Sequence, residues 1–443
     1  MALRLATRLV LLLRLAVAGG QVPIQCATAE HLRAGECCPL FWGDGSPCGE
    51  ASRRGRCREA SPGGGGWGAE GGWRGRPAGR DFRLRWPAYF YRRLCACAGN
   101  FAGADCGECR PGWRGAGCGR PYTVVRRDLA RLSPAQRRLF VERLAAAKRT
   151  PSQRYAIYAS PGPAPGAPLA FRRASVYHVA TWMHYVLPKP VPGGEGVIFA
   201  HRSTAFPTWH KMYLLHLEAE IRNMTGDDTF FIPVWSWAGK GGCDVCTDEL
   251  FGRSGPGGWL SRRSVFGSWR TYCTSDGGSQ MTFDLVCPPG LGRGIRRFER
   301  HDPRFSALPT LADVDACLRL HTFDRGPFNS AANFSFRSAL EGFIDPQRPD
   351  TFVTSMHNLV HVYCGGTLNN IFEATNDPLF PSLHAFVDLI FERWLRRHPG
   401  TRYPSGPPQG HRGHDWMVPF LPLVQNQDLM RGARFFGYDY EID

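Results

Sequence analysis

The chain has 443 residues, 43% of them hydrophobic, with 54 lysines and arginines against 38 acidic residues and a net charge of +16. Length and apolar content are those of a globular protein with a substantial core and room for a small accessory domain. So basic a chain invites a nucleic-acid or membrane reading, yet no recognition motif accompanies the arginine runs (SRRGRC, GGWRGRPAGRDFRLRW, VVRRDLARLSPAQRRLF). They read as a solvated face, with contact to an anionic polymer or lipid as the alternative.

The start, MALRLATRLVLLLRLAVAGG, combines basic residues, an apolar run interrupted by Arg14, and an Ala16-Val17-Ala18 end suited to cleavage. Residues 1–18 therefore read as a signal peptide. The chain has 16 cysteines, which point to an oxidising compartment. Ten of them fall before residue 120: Cys26, Cys37, Cys38, Cys48, Cys57, Cys95, Cys97, Cys106, Cys109 and Cys118. Residues 19–120 read as a small domain held by disulfides where a core could not hold it. Zinc ribbons also pair cysteines, but this spacing is irregular. The stretch Ser61 to Gly79 reads as a loose glycine-rich loop. Further on, Cys243 and Cys246 suit a tight bridge and Cys273 with Cys287 a second loop, leaving Cys317 and Cys364, the latter three residues after His361. Asn223-Met-Thr and Asn333-Phe-Ser are glycosylation acceptors. No internal repeat is evident.

Six of the 14 histidines fall into two triplets, His184, His201 and His210, then His357, His361 and His384. His184 sits in VYHVATWMHYV, an apolar helix pattern, His201 follows the glycine-rich PGGEGVIFA, and His210 lies near the start of FPTWHKMYLLHLEAEI. In SMHNLVHV, His357 and His361 are four apart, so a helix presents both rings on one face. His384 opens LHAFVDLIFERWLRR, where Leu383, Phe386, Val387, Ile390, Phe391 and Trp394 recur at helical spacing with charge on the other side. Neutral imidazole binds copper well, and three imidazoles leave room for an exogenous ligand. Zinc is the rival for any histidine cluster. A solvated or core pair is the alternative for HxxxH alone.

The segments FPTWHKMYLLHLEAEI, CDVCTDELFG, AANFSFRSALEGF, SMHNLVHVY, NDPLF and LHAFVDLIFERWLRR resemble the animal tyrosinase family, which includes the tyrosinase-related proteins. The likeness runs from about Gln21 to Asp443. It implies a mainly α fold, a helical bundle over residues 121–443 holding a type 3 copper pair, preceded by the cysteine-rich module, whose PGWRGAGC ending is similar to an EGF domain. By the same resemblance His184, His201 and His210 hold one metal and His357, His361 and His384 the other. His178 and His216 are ordinary histidines, His178 being the one substitute for His184. The implied activity is oxidation of monophenols and o-diphenols such as tyrosine and L-DOPA by molecular oxygen, in melanin synthesis, with two copper ions as cofactor and two zinc ions as the alternative. Glu341 and Asn358 match residues that hold a water for phenol deprotonation, and Phe343 lies over the pocket.

Within the family, Leu383 stands where tyrosinases usually carry a second histidine, as in related proteins that hold zinc and act on dopachrome or indole acids. Phe343, Thr354 and Ile371 instead keep the pocket small and apolar, which favours a tyrosinase. Two further alternatives are a reversible oxygen carrier and a non-catalytic protein whose EGF-like part binds partners. A lumenal location is implied, the melanosome first. Family members normally continue past GYDY into a membrane helix, and no apolar run of about 18 residues follows the signal. The expectation is a soluble or secreted protein, or an incomplete sequence.

Overall fold

A computed structural model describes residues 21–60, 81–160, 169–191, 198–274 and 285–441. The expected signal segment and the glycine-rich stretch Ser61 to Gly79 lie outside these residues. In the cysteine-rich part a short helix α1 (Ala29–Ala34), capped by the Thr28 side chain, precedes a three-stranded sheet ordered Glu36–Cys37, Arg93–Cys97, Gly55–Glu59. Five disulfides pin it: Cys26–Cys37, Cys38–Cys57, Cys48–Cys95, Cys97–Cys106 and Cys109–Cys118. The bridges Cys243–Cys246 and Cys273–Cys287 form as expected, and Cys317 and Cys364 are free and buried. Burial pushes both thiols up, so they stay protonated.

The rest is a helical bundle. Its helices are α2 (Pro134–Arg149), α3 (Val176–Val186), α4 (Phe206–Thr225), α5 (Leu311–Arg319), α6 (Phe336–Glu341), α7 (Met356–Cys364), α8 (Gly366–Asn369) and α9 (Phe380–Arg397). Local chemistry sets their starts. Ser133 with Gln136 and Thr310 with Asp313 form capping boxes on α2 and α5, while Pro207 and Pro381 occupy the first turns of α4 and α9. Helices α4 and α9 pack together at the centre, with α3 and α6 against α4. Among the described residues no helix is long and apolar enough to cross a membrane.

The cysteine-rich module is welded to the bundle. Val22–Pro23 pairs antiparallel with Pro151–Ser160, and Phe82 stacks on Trp182 of α3 at 6.0 Å. Arg83, fully buried and paired with Asp81, donates to the carbonyls of Val186 at 2.8 Å and Lys189 at 2.6 Å. It thus satisfies the orphan acceptor at the end of α3, one turn from His184, with the charge a helix C-terminus prefers.

A second buried cation closes the bundle from behind. Strand Val124–Arg126 runs parallel to Tyr438–Tyr440, and buried Arg126 grips Glu218 of α4 through Nε at 2.8 Å and Nη2 at 3.0 Å. The same guanidinium donates to Asp388 of α9 at 2.8 Å and lies 3.8 Å over the Tyr438 ring. Asp388 and Glu392 correct the expected charged face of α9: both are buried, Glu392 lying 3.7 Å from the fully buried Lys211 ammonium. Arg126→Met leaves the buried Asp388 without its cation and Glu218 with only the 3.4 Å contact to Arg222, and the expected loss is about 3–5 kcal/mol, read as a lowered denaturant midpoint. A variant as stable as the parent shows that Arg126 does not hold α4 to α9.

Candidate metal centre

Each histidine of the two triplets reaches the bundle interior from a defined position. His184 lies in the last turn of α3, His210 and His384 are each the fifth residue of α4 and α9, and His357 and His361 share one face of α7. His201 stands in a loop between Ala200 and Arg202, whose φ values of 62° and 50° are left-handed. Such angles cost an L-residue about 1–2 kcal/mol each, here offset by the Arg202 main-chain N–H donating to Glu341 Oε1 at 2.5 Å. The six rings are almost wholly buried except His361, which is partly so.

Within each triplet one nitrogen per ring lies within 4.8 Å of the others. His184 Nε2 is 3.2 Å from His201 Nε2, and His357 Nε2 is 3.2 Å from His384 Nε2. Backbone carbonyls fix three of the tautomers: Nδ1–H of His210 donates to Phe206 at 2.9 Å, that of His357 to Glu341 at 3.2 Å, and that of His361 to Leu368 at 2.5 Å. Their Nε2 lone pairs are thereby aimed inward. Those of His210 and His361 have no hydrogen-bond partner. Burial, reinforced by neighbouring imidazoles, drives the pKa of His184, His210, His357 and His384 far below the usual histidine range; burial holds that of His201 at about 3 and that of His361 at about 4. At neutral pH the six rings are uncharged, so each can offer a nitrogen lone pair. Three such nitrogens gathered within 4.8 Å in each triplet, with Nε2 of His210 and His361 unpartnered, fit two metal ions. Cys38, Cys48 and Cys95, and Glu36 with Cys38 and Cys57, also cluster, but those thiols are consumed by disulfides.

Two phenylalanines brace the triplets against each other. Phe206 lies 4.8 Å from the rings of both His210 and His357, and Phe380 lies 5.0 Å from His184 and 4.1 Å from His384. His210 and His384 stack at 4.3 Å across the boundary. The sequence carries a short repeat behind this symmetry, Phe-Pro-Thr-Trp-His at 206–210 and Phe-Pro-Ser-Leu-His at 380–384, which the reading of the sequence missed.

Over the triplets opens a cavity of 240 Å³ whose lining includes Glu341, Phe343, Thr354, Asn358 and Ile371. A cavity of about 150 Å³ admits a benzene ring, so a substituted phenol fits. Glu341 reaches α7 because Gly342 follows it: at φ 104° a Cβ there would lie 2.0 Å from the Ser355 carbonyl oxygen. Burial raises the Glu341 carboxyl to about 7 against the opposing pull of Arg337, whose Nη1 is 3.4 Å away. Asn358 Oδ1 faces His357 Nδ1 at 3.2 Å. Sequence reasoning also missed Arg202, Val362 and Phe380 in the lining. Arg202 and Val362 each adjoin a triplet histidine, which was the available signal. His178 stacks on Tyr272 at 4.1 Å, and His216 lies against Tyr155 at 5.3 Å, both outside the triplets. Asn223 is exposed and Asn333 half-buried.

The family model described as "Common central domain of tyrosinase" matches residues 174–397, which contain all six histidines. The chain is 40% identical over 450 residues to a tyrosinase of Pelophylax lessonae, covering 97% of this chain and 83% of that one. To a tyrosinase of Canis lupus familiaris it is 39% identical, covering 95% and 82%. A 5,6-dihydroxyindole-2-carboxylic acid oxidase of Gallus gallus is 38% identical, covering 96% and 83%. With a matched central domain, full-length relatives at this identity and paired imidazole triplets beneath one cavity, the chain belongs to the tyrosinase family of oxidoreductases.

Proposed function

We propose that the chain is a copper-dependent phenol oxidase that converts tyrosine and L-DOPA to dopaquinone in melanin synthesis, in a lumenal compartment of the secretory pathway, the melanosome first. The observation that carries this reading is the double set of three imidazole nitrogens, each set gathered within 4.8 Å beneath a phenol-sized cavity. For fixed nitrogen donors the affinity order of divalent ions places copper above zinc. When bound, the copper pair would supply the activation of dioxygen for two-electron oxidation of the phenol.

The chain's residues do the rest. The bundle fixes the two triplets, and Phe206 and Phe380 fill the space between them and exclude water. Phe343, Thr354 and Ile371 confine the aromatic ring. Glu341 takes the phenol proton, and with Asn358 holds the water that relays it. The carboxyl suits that task because burial has already raised its proton affinity toward neutrality. A second reading, a zinc protein acting on dopachrome or indole carboxylic acids, rests on Leu383 and on the similarity to the chicken indole-acid oxidase.

Copper-loaded protein should consume oxygen on L-DOPA and form coloured quinone. His361→Ala should abolish both and lower bound copper from about two ions per chain to about one; undiminished colour would refute the site. Zinc in the isolated protein, with dopachrome rearranging without oxygen uptake, would establish the second reading. Glu341→Gln should lower kcat on tyrosine by about 10²–10⁴-fold, with a smaller loss on L-DOPA. As a base Glu341 must be ionised, so tyrosine turnover should rise with pH through a value at or below about 7, since adjacent metal cations pull the carboxyl down. The Gln variant should lack that limb.

A further inference from the structure

The cavity mouth carries one charged group that the reaction does not use. Among the described residues lining the cavity, Arg202 and Glu341 are the only ones besides the imidazoles that can bear charge. Glu341 is fully buried and engaged by Arg337 and by the Arg202 main chain. Arg202 is exposed, and its guanidinium makes no hydrogen bond or ion pair with any described residue. Its backbone is held at φ 50° by the bond to Glu341, so the side chain springs from a fixed point beside His201 at the edge of the pocket. The other described lining residues, among them Phe343, Thr354, Asn358, Val362 and Ile371, carry no charge.

We propose that Arg202 selects substrates by charge, pairing with a carboxylate at the far end of a phenol whose hydroxyl faces the imidazole triplets. The inference deepens the phenol-oxidase reading and rests on it for the orientation of the ring. A guanidinium presents a planar fork of donors that matches a carboxylate in two parallel hydrogen bonds. Two metal cations at the floor and Arg202 at the mouth outweigh the single Glu341 carboxylate and leave the cavity with a net positive potential, which draws anions and disfavours ammonium groups. The preferred class is therefore a phenol or catechol bearing a carboxylate on its side chain, and the disfavoured class is the corresponding amine. Because the contact is at the mouth, it weakens with added salt.

The test uses the full chain loaded with zinc, which occupies the triplets without redox turnover, and equilibrium binding of 3-(4-hydroxyphenyl)propionate and tyramine. The carboxylate should bind at least about tenfold tighter than the amine, the size of a partly desolvated charge-assisted contact. Arg202→Gln should erase the difference, Arg202→Lys retain part of it, and Arg202→Glu reverse it. Rising salt should shrink it. Equal affinities in the parent protein, or a preference that survives Arg202→Gln, overturn the proposal; so does failure of both phenols to bind. Oxygen uptake by copper-loaded protein on uncharged 4-methylcatechol separates this outcome from the oxidase reading. Uptake without a carboxylate preference leaves phenol oxidation standing and removes the role of Arg202. A carboxylate preference without uptake does the reverse.

Discussion

Six uncharged imidazoles gathered into two buried triplets are the constraint from which the architecture follows. Burial denies the rings a second proton, so each keeps one nitrogen lone pair available as a donor. The protein spends its secondary structure on holding them there. Carbonyls of Phe206, Glu341 and Leu368 lock three tautomers, left-handed residues flank His201, and Gly342 lets α6 and α7 meet more closely than any side chain would permit. A metal ion held by these donors would add its binding free energy to that of folding, because the unfolded chain does not hold the triplets together.

The back of the bundle answers the front. Helices α4 and α9 each present a triplet histidine near their N-termini, and further along each presents a buried acid, Glu218 and Asp388, to the single guanidinium of Arg126. That contact joins strands from the two ends of the bundle sequence and fixes the spacing of the helices whose first turns bear His210 and His384. Arg83 does the same for α3 from the cysteine-rich module, which couples a disulfide-pinned accessory part to the position of His184. The module is therefore a support of the metal centre as well as a surface of its own.

Much of the site was legible because its signals are local. HxxxH on one helix face and the texts SALEGF and SMHN each fall within a few residues, and the structure gathers them at one cavity. What was not legible depends on contacts distant in sequence. The acids of α9 looked like a solvated face, since nothing near 388 or 392 announces that Arg126 and Lys211 lie against them. Arg202 carried a signal only in hindsight, as the neighbour of His201. The repeated Phe-Pro-x-x-His went unread because five residues, two of them variable, fall below what an internal-repeat scan recognises; its meaning is spatial, a pair of rings each bracing the opposite triplet.

The residue that divides the family in the sequence, Leu383, has less bearing on the pocket than its position suggests. Successive residues of a helix point about 100° apart, so the side chain before His384 turns away from the metal face. Leu383 is fully buried, does not line the cavity, and its carbonyl accepts from the Trp237 indole at 3.3 Å. A change there acts on core packing behind α9, and on the chemistry only by tilting His384. The described lining offers Phe343, Thr354, Ile371 and the rim cation beside His201. Differences in the shape and charge of the pocket are therefore to be sought in those side chains rather than at residue 383.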